Sequence, residues 1–346
     1  MIDFLIIVAK VLIVFGGLLG AAAVMTLADR RFSAFVQDRL GPNRAGPEGL
    51  LQPIADLVKL IFKEQYTPAR VEKRLFALAP LIILLPACIT FAVIPVGQSI
   101  EVFGRTVQLQ LADLNVGILY IFAITSLGVY GLVLGGWSAN NKYALLGGLR
   151  SSAQMISYEL SLGLAVVGVL MITGSLRPSE IVLTQTQMMG GVIPAWNIIV
   201  QPLGFLIFLV SAFAETNRLP FDLPEAEQEL VGGYHTEFSS MRFAFFFLAE
   251  YINLTVASAM VVTLFLGGWH FPFIDGWLQP GILLELIHIG AFLAKTGAVL
   301  FFFVLVRWTM PRFKYNQLMH LGWKVMLPLA FLNVIVTGVY LVLTHG

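Results

Sequence analysis

Eight stretches of this chain are long and apolar enough to cross a bilayer, and nothing else in it restricts the fold so much. They cover residues 2–28, 75–96, 114–137, 152–172, 192–214, 243–269, 284–306 and 325–344. A helix needs about 20 apolar residues to span hydrocarbon. Backbone groups in lipid must be satisfied inside the helix or around a closed barrel. The stretches are too long for barrel strands and lack barrel-type alternation, so they read as helices. The expected fold is all-α: one polytopic membrane domain over residues 1–346, with eight transmembrane helices. Composition agrees, because only 12% of the 346 residues are charged and 58% are hydrophobic. A soluble domain carries about a quarter charged residues.

Seventeen lysines and arginines fall in the first, third, fifth and seventh connections, and only Arg105 and Arg177 in the others. By the positive-inside rule the odd connections face the cytoplasm and both termini face the periplasm. The start, Met1-Ile2-Asp3-Phe4, has no basic leader and reads as the first span.

Two cytoplasmic segments stand out. In the loop over residues 29–74, Gly41-Pro42-Asn43 marks a turn and Pro47 suits a helix start. Residues 48–64 follow, with Leu50, Leu51, Ile54, Leu57, Val58 and Ile61 spaced by three and four against Gln52, Asp56, Lys59 and Lys63. That is an amphipathic helix, too charged to span, lying at the membrane surface. Pro53 stands where it could bend that helix. Such a helix can anchor the loop or form one wall of an opening from the lipid.

The loop over residues 214–242 holds six carboxylates, Glu215, Asp222, Glu225, Glu227, Glu229 and Glu237, beside Arg218. Crowded carboxylates resist full ionisation and can hold protons near neutral pH. Asp222 suits a helix N-cap. A helix over 224–230 would put Glu225 and Glu229 on one face and Glu227 elsewhere. A solvated acidic surface is the competing reading. Inside the spans lie Glu159, Glu250 and Lys295, ionisable groups that hydrocarbon tolerates only against the bundle interior or water. A structural ion pair of Lys295 with one of the glutamates is the plain alternative to function.

One cysteine, Cys88, and five histidines without metal or haem spacing predict no redox centre or metal held by this chain. A net charge of +1 gives no reason to expect nucleic acid.

Several motifs carry a resemblance. Asp29-Arg30-Arg31 through Gly41-Pro42-Asn43 is one, followed by Gly49-Leu50-Leu51-Gln52-Pro53-Ile54-Ala55-Asp56 with Lys59-Leu60. Lys142-Tyr143-Ala144-Leu145-Leu146-Gly147, Arg150 and Gln154-Met155-Ile156-Ser157-Tyr158-Glu159 continue it. Ala214 through Asp222 and Pro311-Arg312-Phe313-Lys314-Tyr315-Asn316-Gln317-Leu318-Met319 complete it. Across nearly the whole chain they resemble the H subunit of bacterial NADH–quinone oxidoreductase, complex I, the homologue of mitochondrially encoded subunit 1. Asp29-Arg30-Arg31 departs from the glutamate and Arg-Lys frequent in that family.

The resemblance implies a long, tilted first helix and a chamber through which ubiquinone enters. It implies an acidic funnel of Asp56, Glu159, Glu215, Asp222, Glu225, Glu227, Glu229 and Glu250, linking quinone reduction to proton pumping. Arg30, Arg39, Arg150, Arg218 and Arg312 would brace the chamber mouth, with Phe247 and Tyr251 in its wall. Ubiquinone would be the substrate. NADH, FMN and iron–sulfur clusters would belong to partner subunits: the hydrophilic quinone-site and cluster subunits, alongside small and antiporter-like membrane subunits. Membrane lipid would surround the chain in a bacterial inner membrane. Three other readings compete: a stand-alone ion or proton transporter, a structural anchor for a soluble dehydrogenase, and the equivalent subunit of a membrane-bound hydrogenase.

Overall fold

A computed structural model of the chain describes residues 2–102, 105–189, 193–272 and 281–345. The architecture is all-α and polytopic. Helix α1 spans Ile2–Val36, α2 Gln52–Phe62 and α3 Lys73–Thr90. A hairpin of β1 (Ser99–Val102) and β2 (Arg105–Gln108) leads to α4, Gly117–Ser138, and α5, Lys142–Thr173. Next come α6, Pro178–Gln185, and two-residue strands β3 (Met188–Met189) and β4 (Ile193–Pro194). Helices α7 (Asn197–Val200), α8 (Pro202–Glu215) and α9 (Glu227–Leu230) follow, then α10 (Ser240–Phe265) and α11 (Ile282–Thr309). The chain ends with α12 (Tyr315–His320), a π-helical turn over Leu321–Met326, and α13 (Leu327–His345).

Among the described residues, seven helical segments are long and apolar enough to cross a membrane, one fewer than the eight expected. The shortfall is the fifth stretch, 192–214, which breaks at Gln201 (φ −128°, ψ 56°) and restarts as the shorter apolar α8 at Pro202. Proline supplies no N–H to continue a helix through that point but is well placed in a first turn.

Other helices outrun the apolar stretches. At 35 residues α1 is about 52 Å long, so it tilts or projects from about 30 Å of hydrocarbon. Asp29-Arg30-Arg31 therefore lies within α1 instead of closing it. Helix α5 begins ten residues ahead of its apolar stretch, where the Asn141 side chain accepts from Tyr143 N at 2.9 Å. Lys142 and Arg150 are thus helical, not loop residues.

The surface helix is shorter than residues 48–64. Positive φ angles at Gly46 (75°), Glu48 (50°) and Gly49 (75°) forbid an α-helix there, and only a 3-10 turn forms at Pro47–Gly49. A Cβ at Gly49 would lie 2.0 Å from Pro42 O, so glycine is required for this approach. Pro53 opens α2 in its first turn and does not bend it. Helix α2 packs against α1 and α10, while Leu50, Leu51, Ile54, Leu57, Val58 and Ile61 stay exposed.

The core runs between α5, α8 and α10, with Tyr158, Phe265, Ile252, Leu254 and Val166 fully buried. Helix α5 packs on α4, α8 and α13, and the last residue of α8, Glu215, is partly buried. Lys295 on α11 pairs with no carboxylate among the described residues. Its ammonium donates to three carbonyls beyond the end of α10: Leu266 (2.7 Å), Gly268 (3.1 Å) and His270 (2.6 Å). Carbonyls at a helix C-terminus lack intrahelical partners and favour a cation, which removes the need for a glutamate.

Candidate functional site: a carboxylate–arginine cluster above a buried cavity

Helices α1, α10 and α11 converge on the chain that follows α8. Their meeting point is Asp29, 4% exposed on α1. Its Oδ2 accepts from Arg218 Nη1 at 2.7 Å, Tyr251 Oη at 2.9 Å and Arg307 Nη1 at 2.5 Å. Arg218 is itself buried, with Nε 2.6 Å from Glu250 Oε1 and its guanidinium carbon 4.2 Å from the Tyr251 ring centre. The Nε contact is out of line for a hydrogen bond, so it is a Coulombic pairing. Burial alone would favour releasing the Arg218 proton. Glu250, Tyr251 and Asp29 outweigh it and raise its proton affinity, so the guanidinium stays charged. One cation is thereby shared between two carboxylates from different helices.

Glu250 and Glu215 line one cavity of about 60 Å³, which Asn217, Asn253, Thr125 and Tyr234 also reach. At roughly 15 Å³ per water centre this is space for a few waters with polar partners. Glu215 has no hydrogen bond or ion pair to any described residue, so water is its available partner. Glu159, on α5, is an electrostatic neighbour of Glu215 and accepts a hydrogen bond from Ser126.

The acidic loop covers this cluster. Asp222 pairs with Arg312 Nη2 at 2.8 Å and is not a helix N-cap. Only Glu227–Leu230 is helical there, because the cap position falls to Ala226. Glu225 thus lies outside the helix that was to align it with Glu229. Instead it accepts from Tyr234 Oη at 2.7 Å. Burial lifts the Asp222 carboxyl to about 6, with Arg312 pulling down and Glu250 pushing up. Burial, followed by repulsion from Glu250 and Asp222, lifts Glu225 to about 8, against the Tyr234 hydrogen bond and Arg218. Burial also lowers His235 to about 4. The 3.6 Å contact of His235 Nδ1 with Glu225 is then between uncharged groups at neutral pH.

Of the remaining expected residues, Phe247 touches the cluster through Tyr251, while Asp56, Arg150 and Arg39 pair elsewhere. Asp56 pairs with Arg30 at 2.6 Å on a largely exposed surface. Arg150 pairs with Glu229 at 2.5 Å. Arg39 is exposed and donates to Gln37 at 2.7 Å. Phe247 stacks obliquely between Phe243 and Tyr251, with ring centres 5.6 Å from each. The Glu227 side chain lies outside the described residues. The cavity touches neither α1 nor α2, so the hollow expected beneath the surface helix is not this one.

Sequence reasoning did not single out Asp29, Arg307, Tyr234 or Ser126. Asp29 carries a usable signal: an acid inside a long helix needs a buried partner. The partners of Tyr234 and Ser126 follow only from tertiary contact.

Comparison with known proteins identifies the family. The family described as NADH dehydrogenase matches residues 9–338. The first of the numbered NADH-quinone oxidoreductase H subunits of Geobacter metallireducens is 53% identical over 342 residues, covering 99% of this chain and 98% of the relative. NADH-quinone oxidoreductase subunit 8 of Rhodothermus marinus is 52% identical over 329 residues, 93% of each chain. The corresponding H subunit of Cytophaga hutchinsonii is 49% identical over 322 residues, 93% of this chain and 92% of the relative. With the motifs, the polytopic helices and these matches in agreement, the chain belongs to the family of NADH–quinone oxidoreductase H subunits, multi-pass membrane subunits of complex I.

Proposed function

We propose that this chain forms the wall of the chamber through which ubiquinone enters, and that its carboxylates couple quinone reduction to proton translocation. One observation carries the reading: Glu215 and Glu250 reach the same internal cavity, whose lining is otherwise mainly apolar, and Arg218 ties Glu250 to Asp29 and the acidic loop. Reduction of a quinone takes up two electrons and two protons. Charge appearing in the chamber raises the proton affinity of nearby carboxylates. Asp222 and Glu225, lifted to about 6 and about 8, already stand where a small field change alters their protonation at neutral pH. Protonating Glu250 or Asp29 would free Arg218 to swing to the other, moving the loop with it.

A cavity of about 60 Å³ is far below the several hundred needed for a small-molecule site, so it serves water and protons. The exposed apolar faces of α1 and α2 are the chamber surface in this reading, closed by other subunits of the complex. The flavin, iron–sulfur clusters and NADH site belong to those partners. The acidic loop faces the cytoplasm of a bacterial cell, and both termini face the periplasm, with the broken segment of α7 and α8 making the eighth crossing.

The test is Glu215→Gln in the assembled complex in inverted membrane vesicles. Proton uptake per quinone reduced is expected to fall. Normal uptake at normal turnover would remove Glu215 from the path.

A further inference from the structure

Gln154 on α5 is 1% exposed, and its single side-chain nitrogen faces three oxygens from the far side of the acidic cluster. Nε2 lies 2.8 Å from Ala214 O, 3.1 Å from Asn217 Oδ1 and 2.9 Å from Phe221 O. Two of these are carbonyls, which can only accept, so the nitrogen must point this way. Ala214 is in the last turn of α8, and its carbonyl also accepts from Asn217 N at 3.3 Å. Asn217 adopts φ 50°, the left-handed conformation that asparagine tolerates, and this folds the chain sharply off the helix. Oε1 of Gln154 is buried without a hydrogen-bond partner, so the nitrogen contacts alone hold the amide in place.

The three acceptors bracket the residues that matter. Glu215 follows Ala214, Arg218 follows Asn217, and Asp222 follows Phe221. Glu159 is five residues along the same helix as Gln154. We propose that Gln154 is a positioning residue, whose amide sets Glu215, Arg218 and Asp222 at a defined distance from Glu159. The proposal rests on the coupling role given above to those carboxylates. Proton transfer, direct or through one water, tolerates donor–acceptor distances of only about 2.6–3.2 Å. Releasing the turn at 214–217 should therefore impair coupling before it impairs folding.

Gln154→Met, Gln154→Glu and Glu215→Gln in the assembled complex separate the possibilities. Gln154→Met has no donor. Quinone reduction per assembled complex should stay close to that of the parent while protons moved per quinol fall severalfold, because all three contacts of Nε2 are lost. Gln154→Glu can donate one O–H when protonated, but when ionised it faces three oxygens. Its coupling should approach that of the parent at acidic pH and decline as pH rises, a limb absent from the parent and from Gln154→Met. Loss of reduction and pumping together, in proportion to assembled complex and with an unchanged pH profile, would overturn the proposal and leave Gln154 as a packing residue. If Glu215→Gln abolishes pumping while both Gln154 variants match the parent, positioning alone is wrong. If Glu215→Gln pumps normally, the coupling role beneath it fails instead.

Discussion

Asp29 and Arg218 are 189 residues apart in sequence and 2.7 Å apart in the folded chain, both almost wholly buried. Each has a second opposite charge, Arg307 on Asp29 and Glu250 on Arg218, so four ionic groups from α1, the loop, α10 and α11 form one chain. Such a chain is costly to break at one link, because the partner left behind stays charged and dry.

Asp29→Asn tests that cost. It leaves Arg307 without its carboxylate and Arg218 with Glu250 alone. Breaking a buried pair costs about 3–5 kcal/mol. The variant complex should melt at lower temperature and assemble in smaller amounts. Unchanged melting would mean that the four charges are independent of one another.

The acidic loop should loosen as pH rises. Glu225 has a folded value of about 8 against an ordinary 4.5, so the folded loop binds its proton more tightly than the unfolded chain. Stability from such a group is fully present below 4.5 and is lost as pH climbs through about 8. Amide hydrogen exchange over residues 222–235, corrected for its intrinsic pH dependence, should accelerate as pH rises from about 4.5 to about 8. Glu225→Gln should flatten that response.

Gly49→Ala probes the turn that delivers the surface helix. Its Cβ would sit 2.0 Å from Pro42 O at φ 75°, so backbone has to move. A penalty of about 1–3 kcal/mol is expected, read as reduced thermal stability of the complex. Gly290→Ala on α11, which meets nothing within 4 Å, is the control and should not lower stability, since alanine is the better helix former.

Asp56→Asn should behave in the opposite manner to Asp29→Asn. Its partner Arg30 is half exposed, and pairs of this kind contribute about 0–1 kcal/mol. Melting should not move measurably. If Asp56 serves the proton path, turnover falls with no change in melting, and a comparison of the two measurements reads this directly.

Much of the membrane architecture was legible because lipid allows few alternatives. Apolar length located seven of the eight spans, although α1 and α5 outrun their stretches by eight and ten residues. The fifth departed because Gln201-Pro202 interrupts it, a local effect that hydropathy averages away. Helix ends were harder. Lys142, Arg150 and two glycines break the apolar run over residues 142–151, and the helical signal there is Asn141 as a cap. The acids of the cluster were visible as charge in the wrong solvent, but their partners were not. Arg218 could be paired with any of six loop carboxylates by composition, yet it bonds to Asp29 and Glu250, which belong to helices far away in sequence. Burial of Glu225 beside Tyr234, and the three acceptors of Gln154, depend on how α5 and the loop meet and leave no trace in spacing.

The early start of α5 has a mechanical consequence. Arg150, gripped by Glu229 at the rim of the loop, and Glu159, nine residues further on, ride on one uninterrupted helical rod. At 1.5 Å per residue they are about 13 Å apart along its axis. A tug on the rim is therefore delivered to a carboxylate inside the oil without any chain having to unfold between them.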